Sequence, residues 1–131
     1  MENYNKLKEE FKSKNFSQIA AKTIVDAAED IGKNIKKEDL KSSQLRKFYD
    51  SVKQIEQKLI EKKETDKLED KIIAQLVFLK PHLENAQKKG KIPQNFKNII
   101  QTSIDRVVEK GTKEDFKYFV KFFEAIVAYH N

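Results

Sequence analysis

The residues able to do chemistry in this chain are few in kind. His82 and His130 are its two imidazoles, and cysteine is absent. Disulfides, thiolate nucleophiles and cysteine-based zinc sites are thereby excluded. The histidines lie far apart, with no HExxH spacing around either. A small hydrolase pairing one of them with carboxylates is a minor alternative to ordinary histidines near helix ends. Gly32, Gly90 and Gly111 are isolated, so no glycine-rich loop exists to cradle the phosphates of a nucleotide. Ser42, Ser43 and Ser51 lack the strained elbow of a serine nucleophile and read as a helix cap and surface positions.

What the chain has in quantity is cationic charge: 27 lysines and arginines against 21 acids, a net +6, with only Arg46 and Arg106 as arginines. Such a balance favours an anionic partner, nucleic acid above all. The surplus is concentrated. Residues 33–47 hold six basic side chains (Lys33, Lys36, Lys37, Lys41, Arg46, Lys47) against Glu38 and Asp39, and residues 80–97 hold five (Lys80, Lys88, Lys89, Lys91, Lys97) against Glu84, +4 each. Brought to one side of a fold, these two junctions would make a surface that tracks phosphates. In "SSQLRKFYD" (42–50), Arg46 projects at the edge of an apolar arc centred on Leu45, on the flank of Lys53, while Lys47 points to solvent. Two readings fit Arg46: an intrahelical pair with Asp50 one turn on, or a fork for an external phosphate. Lys117 and Lys121, like charges one turn apart on an apolar helix, need Glu124 or an external anion to compensate them.

The elements that must position these charges are helical. At 131 residues, 38% apolar and 37% charged with mean hydropathy −0.76, the chain reads as one soluble domain over 1–131. It has no membrane-length apolar run and no secretory leader pattern, which points to the cytoplasm. No stretch alternates with the period of a strand, so the class is all-α. Apolar spacing predicts a compact bundle of five helices over roughly 16–32, 43–63, 66–88, 94–110 and 113–129, with residues 1–15 as a mobile N-terminal arm. The three glycines read as helix ends. Thr112 and Asp115 read as a cap and a dipole partner for the last helix, and Pro81 as a kink or restart in the third. In the second helix, Leu45, Phe48, Tyr49, Val52, Ile55, Leu59 and Ile60 form the core face. In the third, the shared face is Leu68, Ile72, Leu76, Leu79, Leu83 and Ala86. The last, "DFKYFVKFFEAIVAY", is apolar nearly all round except for Lys117, Lys121 and Glu124. It is either the central, largely buried helix of the bundle or a subunit interface.

Three blocks go beyond composition: "SSQLRKFYD" (42–50), "LVFLKPHLENA" (76–86) and "DFKYFVKFFEAIVAYH" (115–130). In sequence, order and spacing they resemble the signature blocks of the small helical subunit of type III-A CRISPR–Cas interference complexes, the Csm small-subunit family. The resemblance covers residues from about 40 to the C-terminus. It departs from the family after the second block, where an arginine is expected near the following loop and Lys88, Lys89 and Lys91 stand instead. The resemblance implies a non-catalytic subunit without cofactor. Its copies line up beside the backbone subunits of the complex and one another, and help hold guide RNA and target RNA paired. On that basis Arg46, Lys47, Lys80, Lys117 and Lys121 are expected on RNA phosphates. Lys53, Lys88, Lys89, Lys91 and Arg106 join them on charge and placement. Lysines read a backbone as point charges, so such binding would be indifferent to sequence and would weaken steeply with salt. The aromatics Phe48, Tyr49, Phe119, Phe122, Phe123 and Tyr129 fall on buried arcs and read as core or subunit contacts before base-stacking groups. The competing reading is a helical adaptor or self-associating bundle whose last helix docks protein and whose lysines serve solubility.

Overall fold

The computed structural model describes residues 1–59 and 67–131. Among these residues six α-helices follow one another: α1 (Glu2–Phe11), α2 (Ala21–Lys37), α3 (Ser42–Gln57), α4 (Asp70–Lys88), α5 (Gln94–Lys110) and α6 (Lys113–His130). A 3₁₀ turn, Phe16–Gln18, stands between the first two. Among the described residues there is no strand, only an isolated bridge between Lys67 and Thr112. None of these helices is long and apolar enough to cross a membrane.

The N-terminal residues are not an arm. Tyr4, Leu7 and Phe11 recur at i, i+3 and i+7, and all three are buried where α1 packs on α2. The Asn3 backbone N–H fastens the start of α1 by donating to Asp30 Oδ2 at 2.9 Å. Phe11 then meets Phe16 edge-on, with centroids 4.8 Å apart, and Phe16 reaches Phe119 and Phe122 of α6 at 6.1 and 5.8 Å. Each phenylalanine taken from water adds on the order of 2–3 kcal/mol. The N-terminal segment is therefore part of the core.

The helix expected over 16–32 begins at Ala21 and runs to Lys37, straight through Gly32. Gly32 does not end a helix; it lets another approach. A Cβ there would stand 2.7 Å from Tyr129 Cβ and 2.9 Å from the Ile126 carbonyl oxygen, so α2 and α6 cross with their backbones nearly touching. Asp39 ends α2 instead, taking the left-handed conformation at φ 66° that Asp tolerates better than most residues. The Asp39 and Leu40 N–H groups donate back to Lys36 and Ile35 oxygens at 3.1 and 3.0 Å, closing a Schellman end.

Helix α3 starts at Ser42 behind Lys41, and its serines make no side-chain cap. It stops at Gln57 rather than 63, where Lys58 and Leu59 close the last turn with tight bonds to Ile55 and Glu56 oxygens. Ile60 lies outside the described residues. Helix α4 starts at Asp70 behind Glu69, and before it the Leu68 N–H donates to the Gly111 oxygen 2.7 Å away. It does not restart at Pro81 but continues to Lys88. Val77, whose carbonyl loses its partner to the proline, and Pro81 are both exposed, so water can replace the missing bond. Gly90, at φ +72°, supplies the left-handed turn after α4.

Helix α6 is central, packing against α2, α3, α5 and the 3₁₀ turn. Phe116, Phe119, Phe122, Phe123 and Ile126 are fully buried on it, while Lys121 and Glu124 stay exposed. Thr112 caps it as expected, accepting the Asp115 N–H at 3.1 Å and donating its hydroxyl to Asp115 Oδ2 at 2.7 Å. Asp115 Oδ1 also accepts the Ser17 N–H at 2.9 Å, tying the 3₁₀ turn to the start of α6. At the other end, buried His130 donates from Nε2 to the Leu40 oxygen at 2.7 Å. A carbonyl can only accept, so the proton sits on Nε2.

Candidate nucleic-acid interface

A groove runs between α3 and the second half of α4. Its floor is apolar, from Phe48, Leu79 and Ala86, and its rim carries Lys47 from α3, Lys89 from the end of α4 and Lys91 from the turn beyond. Ser51, His82 and Asn85 add further polar groups to a hollow of about 350 Å³. Next to it lies a second hollow of about 310 Å³, lined by Gln54, Ile55, Lys58, Gln75 and Phe78 and sharing Ser51, Leu79 and His82 with the first. Among the described residues, neither hollow is lined by a carboxylate.

Local sequence explains the arrangement. On α3 and its C-cap, Lys47, Ser51, Gln54 and Lys58 follow at i, i+4, i+7 and i+11, one face of a helix. Phe78, His82, Asn85 and Lys89 repeat that spacing on α4. The core faces of both helices turn inward, which leaves these two stripes, polar except for Phe78, along the seam. Lysines gathered over low-dielectric walls without an acid raise the local potential for an anion.

The ten expected site residues divide by what the fold puts beside them. Arg46, Lys47, Lys88, Lys89 and Lys91 are exposed. They make no ion pair among the described residues. Arg46 therefore does not take Asp50, the intrahelical partner that its spacing allowed. Lys53 instead pairs with Glu56 at 2.9 Å, and that hydrogen bond holds its ammonium above the usual lysine range. Lys80 crosses to Asp105 of α5 at 2.6 Å, beside a bond from Gln101 Nε2 to the Lys80 oxygen at 3.2 Å. Lys97 and Glu84 make a second α4–α5 bridge at 3.1 Å, which draws the Glu84 carboxyl below its usual range. Arg106 is turned inward, its Nε and Nη2 donating to the Lys14 oxygen at 3.0 and 2.7 Å. On α6, Lys117 is half-buried, and exposed Lys121 sits 5.6 Å from the centre of the Tyr118 ring.

Of the two basic junctions, then, the structure brings Lys47 of the first to Lys89 and Lys91 of the second. Sequence reasoning missed the groove's neutral members, Ser51 and Asn85, and missed Phe78. The signal for Phe78 was its position, two residues past Leu76 and off the apolar stripe of α4. The expected core aromatics Phe48, Phe119, Phe122 and Phe123 are buried, Tyr49 is half-buried against Phe123, and Tyr129 is exposed.

Comparison with known proteins returns no match among curated proteins and none among solved structures. A family model does match: that of Csm2, type III-A, over residues 18–131. The match reaches further toward the N-terminus than the three signature blocks and includes α2 through α6. The chain belongs to the Csm2 family, the small helical structural subunits of the type III-A Csm complex.

Proposed function

We propose that this chain is a non-catalytic RNA-binding subunit that helps hold guide RNA and target RNA paired within the Csm complex, through phosphate contacts indifferent to sequence. It acts in the cytoplasm as a single helical domain. Its neighbours are the backbone subunits, the other subunits of the complex and further copies of itself. The observation that carries this reading is the α3/α4 groove, where Lys47, Lys89 and Lys91 converge from two chain segments without a carboxylate among the described lining residues. Arg46 and Lys88 are further exposed cations on the same two helices, outside the groove's lining. Lys121 and Lys117 offer a second contact on α6. Lys53, Lys80 and Arg106 hold protein groups first and contribute less to RNA. The adaptor reading needed a free apolar face on α6, and that face is buried against α2, α3 and α5.

The test is a salt titration of binding to labelled single-stranded and duplex RNA. Log affinity should fall linearly with log salt, and the slope should become shallower by about one for each lysine that leaves a phosphate. Lys47→Glu and Lys89→Glu should each have that effect. Unchanged slopes in both variants would defeat the assignment of the groove.

A further inference from the structure

We infer that Phe78 is a stacking platform for an unpaired RNA base whose backbone lies along the α3/α4 groove. The inference rests on the phosphate reading of that groove and adds to it a contact to bases. Eight of the nine phenylalanines are buried, whereas Phe78 is 69% exposed. The core therefore gains little from its ring.

Its position is specific. Phe78 shares one face of α4 with His82, Asn85 and Lys89, a stripe about 16 Å long at 1.5 Å per residue. The hollow at Phe78 and the hollow at the lysines have Ser51, Leu79 and His82 in common, so one trough joins the ring to the cations. An exposed aromatic at the end of a cationic trough is the pairing that single-stranded nucleic acid uses, with backbone on the charges and a base on the ring. Every base has a π-face, so the contact keeps the indifference to sequence that the lysines impose. A duplex buries its base faces, so Phe78 would tell single strand from duplex where lysines alone would not.

The surroundings speak against a protein partner at the same ring. Gln54, Lys58, Gln75 and His82 line the hollow beside Phe78, over buried Ile55 and Leu79, and Val77, at 42%, is the other large apolar side chain exposed on α4. Two apolar side chains in a polar frame suit one flat ring better than a docking surface.

The experiment measures binding of the full chain to a short single-stranded RNA, to the same strand carrying abasic sites, and to the matched duplex, each over a salt series. It compares the wild type with Phe78→Ala, Phe78→Tyr and Lys89→Glu. Phe78→Ala should lower single-strand affinity about tenfold, with the salt slope and duplex affinity unchanged. Phe78→Tyr should retain wild-type affinity, and the abasic strand should bind wild type and Phe78→Ala alike. Lys89→Glu should flatten the slope for every RNA, so a failure of the phosphate reading appears there and a failure of stacking appears at Phe78. Wild-type single-strand affinity in Phe78→Ala would overturn the inference. So would an equal loss on the abasic strand, a loss of self-association in place of RNA binding, or no RNA binding by wild type at low salt.

Discussion

The two arginines of this chain have opposite employment. Arg106 on α5 gives Nε and Nη2 to the Lys14 oxygen and Nη2 also to Asn15 Oδ1 at 3.3 Å, while Nη1 stands 3.7 Å from Glu109. Only 13% of its side chain is exposed. Arg46 on α3 is exposed and makes no ion pair with a described residue. The first is a staple between α5 and the N-terminal segment; the second is available to a ligand. A cation's role is decided by what the fold carries to it, and a backbone oxygen such as that of Lys14 leaves no mark in the sequence.

That contrast can be broken from the stapled side first. Leu7 is fully buried in the segment that Arg106 fastens. Leu7→Ala should cost about 3 kcal/mol by urea unfolding, the usual range for an emptied leucine site. A change below about 0.5 kcal/mol, the level of a surface substitution, would return residues 1–15 to the status of a loose arm. Arg106→Ala should come next, at about 2 kcal/mol for charged hydrogen bonds lost at a largely covered site, with a smaller change in the salt slope of RNA binding than a groove lysine gives. Arg106→Lys should recover only part, because an ammonium cannot reproduce the fork onto one carbonyl.

A smaller effect follows from Tyr4 of α1, whose hydroxyl is pushed up to about 12 by burial. Its folded value lies above the ordinary tyrosine value of about 10, so its contribution is complete below pH 10 and is lost as pH rises toward 12. Wild type should therefore lose more stability than Tyr4→Phe between pH 9 and pH 11.5, measured as the shift in urea midpoint. Equal shifts would mean that the ring is not held in the core. The smallest effect on stability belongs to Arg46→Ala, within about 0.5 kcal/mol, yet its RNA salt slope should drop by about one. If Arg46→Ala unfolds the chain as readily as Arg106→Ala, the contrast between the two arginines is false.

The bundle was most legible where local chemistry and tertiary demand agree. Helix α5 matches its expected span, and α6 differs by one residue at its end, because Gly111 and the Thr112 cap mark the boundary by themselves. Helix α1 was missed because Tyr4, Leu7 and Phe11 are sparse among charges, and only contact with α2 reveals their use. Gly32 carried the ordinary sign of a helix end, while its function is the close crossing with α6, a contact 97 residues away at Tyr129. For the groove, charge clustering pointed to the right two segments, and Lys47, Lys89 and Lys91 do meet. It could not sort Lys80 from Lys89, because Asp105 reaches Lys80 only through the packing of α4 on α5.

The most direct test of the central claim compares two charge-matched triple variants in a reconstituted Csm complex, reading retention of target RNA. One carries Lys47→Glu, Lys89→Glu and Lys91→Glu in the groove. The other carries Lys12→Glu, Lys22→Glu and Lys33→Glu, which replace exposed lysines already paired with Glu9, Asp26 and Glu29. Loss of target RNA from the first complex, with retention in the second, is the predicted result. Equal loss from both would reduce the groove to net charge, and retention in both would contradict the phosphate surface outright.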